Sequence, residues 1–167
     1  MMNFNFNISE LVFVMPELFL LAAISCILLF DLYVKEELKK FTYHLSQLAL
    51  LITGLLAFNI IGESATIFSG TFVLDTLGST FKVFIAGFSI IALVYSRHYL
   101  SVHGLLRNEY FILALMSILG MLVMVSGHSL LTLYLGLEIM SLSLYALIAT
   151  ARDRAFAIEA ALKYFVL

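Results

Sequence analysis

Charge is what this chain has least of. Only 12% of its 167 residues are Asp, Glu, Lys or Arg, against 63% hydrophobic residues, and the mean hydropathy is +1.09. That balance lies far from the composition of a soluble domain and calls for lipid as the solvent of much of the surface. Cysteine is reduced to Cys26, which lies within an apolar stretch. A single thiol excludes a disulfide framework and any iron–sulfur or zinc site built from this chain alone. No segment carries the basic stripe that nucleic-acid binding needs. Gly-rich phosphate loops, nucleophile elbows and HExxH patterns are missing, so hydrolysis and nucleotide binding have no support. Residues 1–34 contain no Lys or Arg. The positive region of a cleavable signal peptide is therefore lacking, and the first apolar run reads as a retained helix. The polar–apolar alternation of barrel strands is absent, as are internal repeats and soluble linkers.

What is present is a series of long apolar runs, which predicts an all-α fold: a polytopic transmembrane helix bundle forming one membrane domain. Five runs are separable, at about 11–33, 43–61, 74–95, 110–125 and 129–149, and a sixth begins near Ala155. Pro16, the only proline, suits the first turn of a helix, and Glu17 beside it complements the positive end of the helix dipole. Tyr33, Phe41, Tyr43, Tyr95, Tyr99 and Tyr110 fall at expected helix ends, as interfacial anchors do. The sixth run stops at Leu167, about 20 Å along a helix and short of the roughly 30 Å hydrocarbon core. The expectation is five complete spans, the start of a sixth, and a chain that reads as a piece of a longer protein.

Basic residues set the expected orientation. Lys35, Lys39 and Lys40 fall in the first connection, Arg97 and Arg107 in the third, and Arg152 and Arg154 in the fifth. The positive-inside rule then places the N-terminus outside. Lys82 and Lys163 are left within apolar runs.

The most costly residue is Glu138, near the centre of the run Ser129 to Ala149. An uncompensated carboxylate in hydrocarbon costs roughly 2.5–3.5 kcal/mol, so a cation or a hydrated seam on a neighbouring helix is expected, and a charge-handling role with it. Tyr134, Glu138, Ser141 and Tyr145 follow one another by four, three and four residues. Such spacing puts all four on one helix face as a polar seam, able to hold ordered water or to act as polar glue between helices. Lys82 is ninth in its run, too deep for easy snorkelling, and is expected to face a polar partner, in an ion pair or in transport. Lys163 follows Glu159 by four residues, which permits an intrahelical pair whose depth makes it a further proton-handling candidate. His44, His98, His103 and His128 lie in connections or at helix ends without ligand spacing, so solvated or capping roles are expected and no metal site.

Two stretches, LLTLYLGLEIMSLSLYALIA at 130–149 and EAALKYFVL at 159–167, carry a resemblance, with weaker support from MPEL at 15–18 and LDTLGSTFKVF at 74–84. Together they resemble the antiporter-like membrane subunits of proton-pumping NADH:quinone oxidoreductase, respiratory complex I, and most closely the subunit N family. The resemblance implies a larger bundle with two inverted repeats, each holding a broken helix, of which this chain carries only the leading helices. It also implies that the glutamate matching Glu138 pairs with a lysine on a later, broken helix, and that the lysine matching Lys163 joins a central hydrophilic axis. NADH, FMN, iron–sulfur clusters and quinone are implied for the complex and no cofactor for this chain. The implied partners are the other membrane subunits and the lipid bilayer, in a bacterial inner membrane. A cation/proton antiporter subunit, which shares these helices and this acidic site, and a structural membrane scaffold are the competing readings.

Overall fold

In a computed structural model, residues 8–33, 41–68, 70–150 and 155–166 are described, with backbone alone at 8–10 and 155–158. The elements run α1 Ile8–Phe13, α2 Met15–Tyr33, α3 Phe41–Asn59, β1 Ala65–Ile67, β2 Phe72–Leu74, α4 Thr76–Val102, α5 Asn108–Ser126, α6 Leu130–Ala149 and α7 Ala155–Val166. Helices α2 to α6 are each long and apolar enough to cross a membrane. The result is a helical membrane bundle, as the apolar runs predict. Lys35, Lys39, Lys40, Arg152 and Arg154, on which most of the expected orientation rests, lie outside the described residues.

Central to the bundle is α5, the most buried of the five long helices. Phe111, Leu115, Ile118, Leu119 and Leu122 of α5 meet Leu20, Ile24 and Ile27 of α2, Leu50 of α3 and Leu93 of α4 in one apolar core. With no water to receive them, buried hydroxyls bond back to their own helices, Ser46 to Thr42 O at 2.8 Å and Thr53 to Ala49 O at 2.8 Å. Between α5 and α6 the backbones themselves approach, at Gly120 and Gly136. Small residues permit this in lipid, where close van der Waals packing replaces a hydrophobic driving force between helices.

Three boundaries differ from expectation. The first run, expected at about 11–33, is divided at the turn residue Val14 into α1 and α2, and the long helix starts at Met15, in keeping with a first-turn place for Pro16. Its missing N–H is harmless in a first turn. Between α3 and α4 the chain forms an antiparallel hairpin, β1 with β2, in which Ala65, Thr66 and Ile67 pair with Leu74, Val73 and Phe72. Leu74, expected in a helix, is therefore in a strand. Strands of three residues are too short for an alternation signal. The helix begins after Asp75, whose side chain accepts from Gly78 N at 2.6 Å.

At its far end α4 continues to Val102, so Arg97, His98 and Tyr99 are helical and not in a connection. With 27 residues it is about 40 Å long, exceeding the hydrocarbon thickness by about two turns. The excess is polar helix, and Arg97 lies over the Tyr43 ring at 4.2 Å.

Candidate functional site

Helix α6 starts at the N-cap Ser129, whose hydroxyl accepts from Thr132 N at 3.1 Å, and runs for 20 residues. Glu138 is eight residues past Leu130, about 12 Å along a helix about 30 Å long. Its place along the helix is thus as the sequence predicts. Gly136 and Met140 meet Gly120 of α5, and Ser143 is buried, so one stripe of α6 is taken up by packing. Tyr134, Glu138, Ser141 and Tyr145 lie roughly 140–200° around the helix from Gly136. The seam therefore faces away from α5.

Along that face the residues differ in what they touch. Tyr134 is 63% exposed, Glu138 is partly buried, and among the described residues no cation pairs with it. The Ser141 hydroxyl donates to Leu137 O at 2.7 Å rather than to the carboxylate. Tyr145 packs its edge on Tyr164 at 5.1 Å and on Phe165 at 5.5 Å, closing one end of the seam with α7. On α7, Lys163 Nζ lies 2.6 Å from Glu159 Oε1, the four-residue pair that the spacing permits, with both side chains more than half exposed.

Lys82 is not brought to Glu138. It is the seventh residue of α4, about 9 Å past its start, and its Nζ lies 2.6 Å from Oε1 of Glu17 on the first turn of α2. Both are enclosed, with exposures of 1% and 5%. Ser126 Oγ donates to the same oxygen at 3.1 Å, and the ammonium lies 5.2 Å from the Phe72 ring centroid. The polar partner expected for Lys82 thus exists, but sequence reasoning assigned Glu17 only to the helix dipole. An acidic residue in so apolar a segment was the signal. The dipole explanation concealed it, since an exposed and a buried first-turn glutamate read alike.

At the opposite end of α2, Asp31 Oδ1 accepts from Thr42 Oγ1 at 3.0 Å and from Asn108 Nδ2 at 2.7 Å, joining α2, α3 and α5. A cleft of about 650 Å³ opens beside it, lined also by Glu109, Ala146 and Thr150. Among the described residues no cluster of His, Cys, Asp and Glu has the geometry to hold a metal ion.

The order of these features along the chain has close parallels. Residues 127–167 match the family described as NADH:quinone oxidoreductase/Mrp antiporter, transmembrane region. NADH-quinone oxidoreductase subunit N of Ruthia magnifica is 62% identical over 100% of this chain, and that of Alkalilimnicola ehrlichii is 46% identical over 92%. By sequence the chain is similar to subunit N along its whole length. It spans about a third of those relatives' length, 35% of the first and 32% of the second. A chain in a solved structure of respiratory complex I from Thermus thermophilus with bound aureothin superposes with a TM-score of 0.72 over 91% of this chain and 32% of that one, at 24% identity. At that identity the likeness shows the fold alone, a shared arrangement of helices. The antiporter-type match begins at the α5–α6 elbow and covers Glu138 and Lys163, whereas Glu17 and Lys82 lie outside it.

Proposed function

We propose that this chain is part of the membrane arm of an NADH:quinone oxidoreductase and takes part in proton translocation coupled to electron transfer from NADH to quinone. The single observation carrying this is the 62% identity to a subunit N across the whole chain. The redox chemistry belongs to the complex, with NADH, FMN, iron–sulfur clusters and quinone held by other subunits. The partners are the other membrane subunits and the lipid, and the bacterial relatives favour a bacterial inner membrane.

Within that role Glu138 is the principal charge-handling residue. It lies at mid-depth on the face of α6 turned away from α5, where a cation or water column from a further helix would meet it. Tyr134, Ser141 and Tyr145 flank it. Lys163, paired with Glu159, is the second proton-handling candidate, and Lys82 is the weakest because its charge is already committed to Glu17.

In the assembled enzyme, Glu138→Gln should leave subunit content within about twofold of wild type while NADH-driven proton pumping in inverted vesicles falls by about tenfold, the loss of a mid-membrane ionisable group. Normal pumping would remove the assignment. Sodium-dependent exchange without any co-purifying quinone-reductase subunits would favour the antiporter reading instead.

A further inference from the structure

The rim where α2 and α4 begin, α5 ends and α6 starts converges on one buried ion pair. Glu17 belongs to α2 and Lys82 to α4. Ser126, the last residue of α5, donates to Glu17, and Phe72 of β2 covers the ammonium. From this cluster further contacts reach the α5–α6 elbow. Phe72 forms a β-bridge with Gly127, and Thr71 O accepts from His128 N at 3.0 Å and from Thr132 Oγ1 at 3.2 Å. Val14, just before α2, packs on Ile67 and Phe72 from the other side. The hairpin is thus strapped between the ion pair and the first turn of α6.

A buried ion pair is weak evidence for stability, since well-packed apolar residues often serve as well. What it supplies is geometry. A carboxylate and an ammonium at 2.6 Å tolerate little displacement, because any separation leaves two charges in a medium that does not solvate them. The demand is sharp here, as Glu17 Oε2 is buried without a hydrogen-bond partner among the described residues. Little else compensates either charge if the pair opens.

We infer that Glu17 and Lys82 are positioning residues: their ion pair, with Ser126 and Phe72, pins the α5–α6 elbow and so sets how α6 presents Glu138. The elbow is one anchor of α6, and the Gly120–Gly136 approach further along the helix is another. This role rests on reading Glu138 as the charge-handling residue. It differs from proton carriage by Lys82 itself, and the two are separable because arginine keeps its proton while preserving the positive charge.

The test uses the assembled enzyme with Lys82→Met, Lys82→Arg, the double substitution Glu17→Gln with Lys82→Met, and Glu138→Gln. It reads hydrogen exchange of the segment 126–134 and proton pumping per NADH oxidised. Lys82→Met should speed exchange of that segment by about tenfold and lower pumping, as local opening of an unpinned elbow does. Lys82→Arg should stay within about twofold of wild type in both readouts, because it keeps the paired charge. Unchanged exchange in Lys82→Met overturns the inference, and so does lost pumping with wild-type exchange in Lys82→Arg, which makes Lys82 a proton carrier. If Lys82→Met does not assemble, the double variant decides, since it buries no unpaired charge: exchange faster than wild type upholds the pinning and wild-type exchange overturns it. Glu138→Gln tests the underlying reading separately, because normal pumping in that variant sinks the role of Glu138 while the exchange readout still decides whether the pair pins the elbow.

Discussion

A methyl group added to Gly120 would sit 2.7 Å from the carbonyl oxygen of Gly136, and one added to Gly136 would sit 2.9 Å from that of Gly120. Each glycine makes room for the other's backbone. Neither obstacle is a flexible side-chain tip, so relief requires the helices to separate.

Gly136→Val should therefore destabilise the bundle by roughly 1–3 kcal/mol, the usual cost of overpacking a tight core. Thermal unfolding in detergent, followed by circular dichroism, measures it. A variant as stable as wild type would mean that α5 and α6 do not cross at this point.

Asp31 serves as acceptor for donors from two other helices, Thr42 and Asn108. Asp31→Ala leaves both part-buried donors without their partner, at an expected cost of about 1–3 kcal/mol each at most. The combined substitution Asp31→Ala with Asn108→Ala should cost less than the sum of the two single changes, a coupling that a double-mutant cycle reads directly. Strict additivity would show that the contact contributes nothing.

Lys163 and Glu159 form an exposed i,i+4 pair, and such pairs contribute about 0.3–0.5 kcal/mol in water. Lys163→Ala should accordingly leave the unfolding temperature of the isolated chain almost unchanged. A marked fall in NADH-driven pumping in the assembled enzyme with unchanged assembly would then report charge handling and not lost stability. Wild-type pumping would assign Lys163 to the surface.

The five long helices were legible because apolar runs of about 20 residues have few alternatives in lipid, and the place of Glu138 along α6 followed from counting along its run. Spacings of three and four residues likewise placed Tyr134, Glu138, Ser141 and Tyr145 on one helix face and permitted the Glu159–Lys163 pair. Helix ends were less legible. Arg97 and His98 looked like a connection, yet α4 carries them as helix, being longer than a single crossing requires. The hairpin escaped notice since strands of three residues carry no periodic signal, and its turn depends on Gly70 at positive φ and on Phe68, an unusual residue for a left-handed backbone.

By itself the sequence determined the apolar solvent of this protein, the number of long apolar helices and the place of Glu138 along α6, because these depend only on composition and on the 1.5 Å rise per residue. Which charges distant in sequence meet was decided by tertiary structure alone. Glu17 and Lys82 are separated by 64 intervening residues, with α3 and both strands of the hairpin between their helices, and no local spacing encodes their contact. Only the packing of α2 and α4 against α5, under the roof of the hairpin, brings those two side chains into a space that water does not reach, and only there does each become the other's necessary partner.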